Sequence, residues 1–133
     1  MDTALTQQTM TEPVMMNLAV ARQTISALMR YAGHTKQTIE GIADADSAVG
    51  ACALTLSFVS NVRNFVESIE ATDLCNRDIL RNGEAFLRHA DTQAVTAMAT
   101  EHELSAIKGH LYMAVAIADR LLRSVQSDIV IKT

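Results

Sequence analysis

Apolar residues recur every three to four positions along most of this chain, a spacing typical of one face of an α-helix. The first such stretch follows Pro13, a residue suited to a first helical turn, and ends near Gly41–Asp44. Gly33 interrupts it, so it is either one long helix kinked near Gly33 or two pieces stacked end to end, and we favour the near-continuous helix. Three further stretches follow, and the pattern predicts an all-α, antiparallel four-helix bundle.

Short polar side chains precede the later stretches, where they can accept hydrogen bonds from the free N–H groups of a first helical turn. The predicted caps are Asp44 or Asp46 for the second helix, Thr72 or Asp73 for the third, and Thr100 for the fourth. Thr100 and Glu103 match the Ser/Thr-x-x-Glu capping box. The apolar set of the third helix, which runs from Ile79 to Met98, is expected to face the core.

The length of 133 residues is typical of one domain. Residues 1–12 are polar and rich in Thr and Gln, which predicts a flexible N-terminal arm. We expect the helical bundle domain to span 13–133. Within it, Gly50 and Gly83 fall in helical patterns, where each costs about 1 kcal/mol relative to alanine. Close approach of neighbouring helices would explain that cost.

The second helix is apolar around roughly 220° of its circumference, more than the ~100° stripe that a surface helix needs. One stripe runs from Val49 to Val66. A second lies beside it and consists of Leu54, Phe58, Val62, Phe65 and Ile69. Either this helix lies centrally within one chain, or the second stripe contacts another chain. We favour the second alternative, with a homodimer as the expected assembly.

Charge and hydropathy narrow the expected partners and location. The formal net charge is -4 and charged residues make up 20% of the chain, which argues against a nucleic-acid partner. The longest apolar run, 48–59, is shorter than the roughly 20 residues that a membrane span requires. The first residues do not resemble a secretory signal. We therefore expect a cytoplasmic protein without a membrane span.

Candidate chemistry is sparse. Cys52 and Cys75 lie in apolar stretches and are expected to be reduced core thiols. No glutamate is followed three residues later by histidine, so the motif of di-iron bundles is missing. Phosphate-binding glycine loops and Ser/His/Asp sets are also missing. We expect no metal, no cofactor and no enzymatic activity.

Three arginines, Arg77, Arg81 and Arg88, align on the outer side of the third helix. Glu84 lies among them at the spacing of a helical ion pair with Arg81 or Arg88. The cluster is either an ordinary solvated face or a small ridge that docks an acidic partner.

The segment 101–104, which reads Glu-His-Glu-Leu, resembles the phosphoacceptor box of sensor histidine kinases. In that family a His-Glu-Leu sequence lies on a helix of a helical hairpin, and two hairpins form a four-helix bundle. The resemblance covers four residues, and Ile107 stands where the family has proline. It implies an alternative function as a histidine phosphotransfer module with His102 as the phosphoacceptor. Ser105 occupies the lysine position of the His-x-x-Lys-Gly pattern found in stand-alone phosphotransfer domains.

The expected function is therefore that of a non-enzymatic interaction or structural protein. It would act by self-association, or by binding a helix of a protein partner on an apolar face.

Overall fold

A computed structural model describes residues 16–100 and 103–131, with side chains through residue 129. Its helices are α1 (Leu18–Glu40), α2 (Ala45–Glu70), α3 (Arg77–Ala99) and α4 (Leu104–Ile131). The predicted all-α four-helix bundle is confirmed. Helix α1 continues through Gly33 to its C-cap at Gly41, while bending at Gly33 stays a prediction. The predicted arm lies outside the described residues.

The four helices do not contact one another equally. Helices α2 and α4 each contact all three other helices, whereas, within the described residues, no Cα atoms of α1 and α3 lie within 8 Å of one another. The bundle is therefore compressed along one diagonal, and α2 and α4 form a central pair. This arrangement explains why α2 is apolar over most of its circumference, since it has neighbours on three sides.

The predicted partner interface on α2 is wrong for four of its five residues. Phe58, Val62 and Ile69 are fully buried within one chain, Phe65 is 4% exposed, and only Leu54 is half-buried. These side chains belong to the core because α2 packs against α1, α3 and α4 together. The largest fully buried side chains come from all four helices and include Ile25, Ile39, Phe58, Leu80, Leu87, Leu111, Leu121, Leu122 and Ile129.

The helix caps agree with the sequence at α2 and differ at α3 and α4. Asn76 caps α3, whereas the predicted Thr72 donates its hydroxyl proton to the Ile69 carbonyl and closes α2. Thr100 is the C-cap of α3 and donates to the Thr96 carbonyl, so the predicted N-terminal cap at this residue is wrong. Side-chain hydroxyls can serve either end of a helix, and the sequence pattern did not distinguish them. The predicted alternative cap for α3, Asp73, also precedes the true start.

Asp44 forms the predicted cap of α2. Its Oδ1 atom accepts from the Ser47 N–H at 2.8 Å, and the Ser47 hydroxyl oxygen accepts from the Asp44 N–H at 3.1 Å. These hydrogen bonds stabilise the carboxylate and hold the pKa of Asp44 below its ordinary value.

Because that pKa is lowered in the folded state, the carboxylate adds stability at neutral pH. We expect this contribution to persist down to about pH 4 and to disappear as the pH falls through the folded pKa. An Asp44→Asn variant keeps a capping oxygen but cannot titrate, so its melting temperature should fall less steeply in acid than that of wild type. Thermal unfolding followed by circular dichroism across acidic pH tests this, and parallel acid profiles would contradict it.

Two glycines inside helices have different surroundings. A Cβ atom on Gly83 would lie 2.8 Å from Cδ1 of Leu121, so close approach of α3 and α4 is confirmed at this position. A Cβ atom on Gly50 would have nothing within 4 Å. The expected close approach at Gly50 is therefore not made within the single chain.

Candidate functional site: an apolar groove between α2 and α3

A groove of about 550 Å³ opens between the first half of α2 and the last turn of α3. Helix α4 contributes to it through Ile107, near its start. Every side chain in the lining is apolar or a thiol: Ala45, Ala48, Val49, Cys52, Ala53, Leu56, Ala97, Met98 and Ile107.

The groove has a buried floor and an exposed rim. Ala97 is fully buried and Ile107 is 4% exposed, whereas Val49 is 69% and Met98 52% exposed. Covering large apolar side chains with a partner removes them from water and lowers the free energy of the system. The lining offers no charged group to orient a polar ligand, so the groove is suited to apolar side chains.

Cys52 is the only lining residue with a reactive atom. It is 7% exposed, and burial raises the pKa of its thiol. The thiol is therefore protonated at neutral pH and is a poor nucleophile and metal ligand. Its position makes Cys52 part of the apolar floor.

An ion pair joins α2 to α3 beyond the groove, seven residues after Leu56 and six residues before Ala97. The Arg63 guanidinium donates to the Asp91 carboxylate, and both side chains are about one-third exposed. This pair neutralises the charge of Arg63 and separates the apolar groove from polar clefts nearer the other end of the bundle.

The clefts beyond this ion pair carry both signs of charge. They are lined by Glu67, Glu70, Glu84, Arg77, Arg81 and Arg88. The predicted pairing of Glu84 with Arg81 or Arg88 does not occur; the ion pairs found in the described part of the chain are Arg63–Asp91 and Asp119–Arg123. Glutamates therefore accompany the arginines of the predicted docking ridge, and a purely anionic partner would meet repulsion there.

The sequence pattern does not identify the residues on the groove rim. It places Val49 in the first apolar stripe of α2 and Met98 in the apolar set of α3 that is expected to face the core, yet both are more than half exposed. Helical spacing identifies apolar faces but cannot say where two helices diverge. One feature of the sequence indicates the groove. Gly50, Ala51 and Ala53, which follow Val49, have side chains too small to fill a space between α2 and a neighbouring helix.

Polar side chains elsewhere in the described ranges are engaged in single contacts between helices. His110 Nδ1 lies 2.7 Å from the Gln93 Oε1 atom in a bond between α4 and α3. Burial raises the pKa of Tyr112, and so do the negative charge of Glu40 and a hydrogen bond with it, so this phenol stays protonated at neutral pH. Within 16–100 and 103–131, no group of three His, Cys, Asp or Glu side chains is placed to hold a metal ion. His102 lies outside the described residues.

By length and composition alone, α2 is also apolar enough to cross a membrane. A core helix meets the same criterion, and 39% of the most apolar window of α2 is buried within the bundle. In comparisons with protein-family models, curated proteins and solved structures, the chain has no significant match.

Proposed function

We propose that this chain is a non-enzymatic interaction protein that binds an apolar protein surface in the groove between α2 and α3. The observation that carries the proposal is the exposure of Val49 and Met98 on the rim of a groove lined by apolar residues. The core of the bundle is complete without these two side chains. Their exposure is unfavourable in water and favours a partner that covers them.

The binding would combine a buried floor with an adaptable rim. Met98 has an unbranched, flexible thioether that can adjust to different partner side chains. Ala45 and Ala53 leave space for larger side chains of the partner. A helix presenting apolar residues at the spacing of one face would fit this surface.

We test the proposal with a photo-crosslinking residue placed at Met98, and at Met113 as the matched control. Both methionines are exposed to nearly the same extent, 52% and 49%, but Met113 does not line the groove. Irradiation in the source cells should yield a discrete adduct from position 98 and none from position 113. The adduct's partner, identified by mass spectrometry and purified, should bind wild-type protein and lose affinity for Met98→Asp. Equal adducts from both positions, or none, would exclude the groove as the binding surface.

A further inference from the structure

We infer that the occupant of the groove is a second copy of this chain, bound through an antiparallel contact of α2 with α2. The inference rests on the proposed function and specifies the partner. Three features of the α2 face support it: its charge pattern, its side-chain sizes and its area.

The outer face of α2 is free of net charge over most of its length. Between Ser47 and Val66 the exposed residues are Val49, Gly50, Ala53, Ser57, Ser60, Asn61 and Asn64. Arg63 is the one charged residue in this range, and Asp91 of the same chain neutralises it. Two such faces can therefore meet without desolvating an unpaired charge, whose burial would strongly oppose association.

The order of side chains along α2 suits pairing with itself. An antiparallel contact centred on Ala53 places Gly50 of each copy opposite Leu56 of the other. Leu56 is half-buried at the groove, and the space above Gly50 is open to 4 Å and beyond. The same register places Asp46 opposite Ser60, so the two carboxylates stay apart. A small residue thus faces a large one, as close helix packing requires.

The available area is that of a reversible dimer. The uncharged part of α2 is roughly 30 Å long, and with the edge of α3 the face is roughly 20 Å wide. Covering it would bury roughly 600 Å² per copy, or about 1,200 Å² in total, at the lower end of stable interfaces. The dimer should therefore dissociate on dilution.

Sedimentation equilibrium over a wide concentration range tests the inference. The wild-type mass should rise from 14.4 kDa toward twice that value as concentration increases. Val49→Asp places a charge in the contact and should weaken dimerisation about tenfold or more. Met113→Asp, on a different surface, should dimerise like wild type. A mass of 14.4 kDa at every concentration, or equal weakening by both substitutions, would overturn the inference.

Two glycine substitutions distinguish an effect on dimerisation from an effect on the stability of the monomer. Gly50→Ala and Gly109→Ala both add a methyl group to an exposed helical site with nothing within 4 Å, so both should raise the melting temperature of the dilute monomer. Only Gly50→Ala should weaken dimerisation, by several-fold, because Leu56 of the second copy needs that space. Equal dimerisation of the two variants would contradict the proposed register.

The two proposals fail in different ways. A wild-type monomer that forms a specific adduct from position 98 with another protein would refute the second copy and retain the groove. A dimer that Val49→Asp leaves intact, with no adduct specific to position 98, would refute both.

Discussion

Phe58→Ala is expected to lower the free energy of unfolding by about 3–5 kcal/mol. Phe58 is fully buried, and its ring centroid lies 5.4 Å from that of Tyr31 in a tilted contact between α2 and α1. Truncation removes this contact and leaves a cavity beside α2, which the three helices around it can fill only in part. Denaturant unfolding followed by circular dichroism measures the loss.

The control for this prediction is Val49→Ala on the same helix. Val49 is 69% exposed, so the monomer should change by no more than about 0.5 kcal/mol. If Phe58→Ala were nearly neutral for folding but changed the mass of the protein in solution, Phe58 would be an interface residue and its assignment to the core would fail.

Gly83→Ala should destabilise the bundle, whereas Gly33→Ala should stabilise it. The new Cβ atom at Gly83 would lie 2.8 Å from Leu121, which is itself 1% exposed and has little room to move. Overpacking of this kind costs about 1–3 kcal/mol, of which the better helix propensity of alanine recovers about 1. At Gly33 nothing lies within 4 Å, so the gain of up to about 1 kcal/mol is unopposed.

The two glycine variants are compared in one unfolding experiment, which cancels errors of extrapolation. We expect opposite signs and a difference of about 1–3 kcal/mol. Stabilisation by Gly83→Ala comparable to that by Gly33→Ala would mean that α3 and α4 separate easily at this crossing.

The fold could be predicted from the sequence because each helix carries a periodic apolar face. In α4, the apolar residues at helical spacing from Ile107 to Val125 are buried in the core. Caps were less predictable. Asp44 accepts hydrogen bonds only, so it belongs at a helix start, whereas the Thr72 and Thr100 hydroxyls also donate and are found at helix ends. The acceptor-only side chain of Asp73 does not cap α3, because that helix begins later, after Asn76.

The candidate site could not be predicted because it depends on contacts between helices distant in sequence. The sequence shows the apolar excess of α2, but a third neighbouring helix of the same chain and a helix of another chain would require the same residue pattern. Phe58 and Val49 both belong to apolar stripes of α2, yet Phe58 is fully buried and Val49 is 69% exposed. The groove lies between α2 and α3 over the buried Ile107 of α4, and its geometry depends on how the three helices pack together.

Because the bundle is compressed along one diagonal, its outer and central helices should differ in how well they tolerate substitutions. Among the described residues, no Cα atom of α1 lies within 8 Å of a Cα atom of α3, so a substitution in one should influence the other mainly through α2 or α4. Substitutions in α1 and α3 should therefore combine additively, and each helix can vary without compensating changes in the other. Residues of α2 and α4 must fit against three neighbouring helices at once. Over evolutionary time, the central pair would be the conservative part of the bundle and the outer pair its variable part.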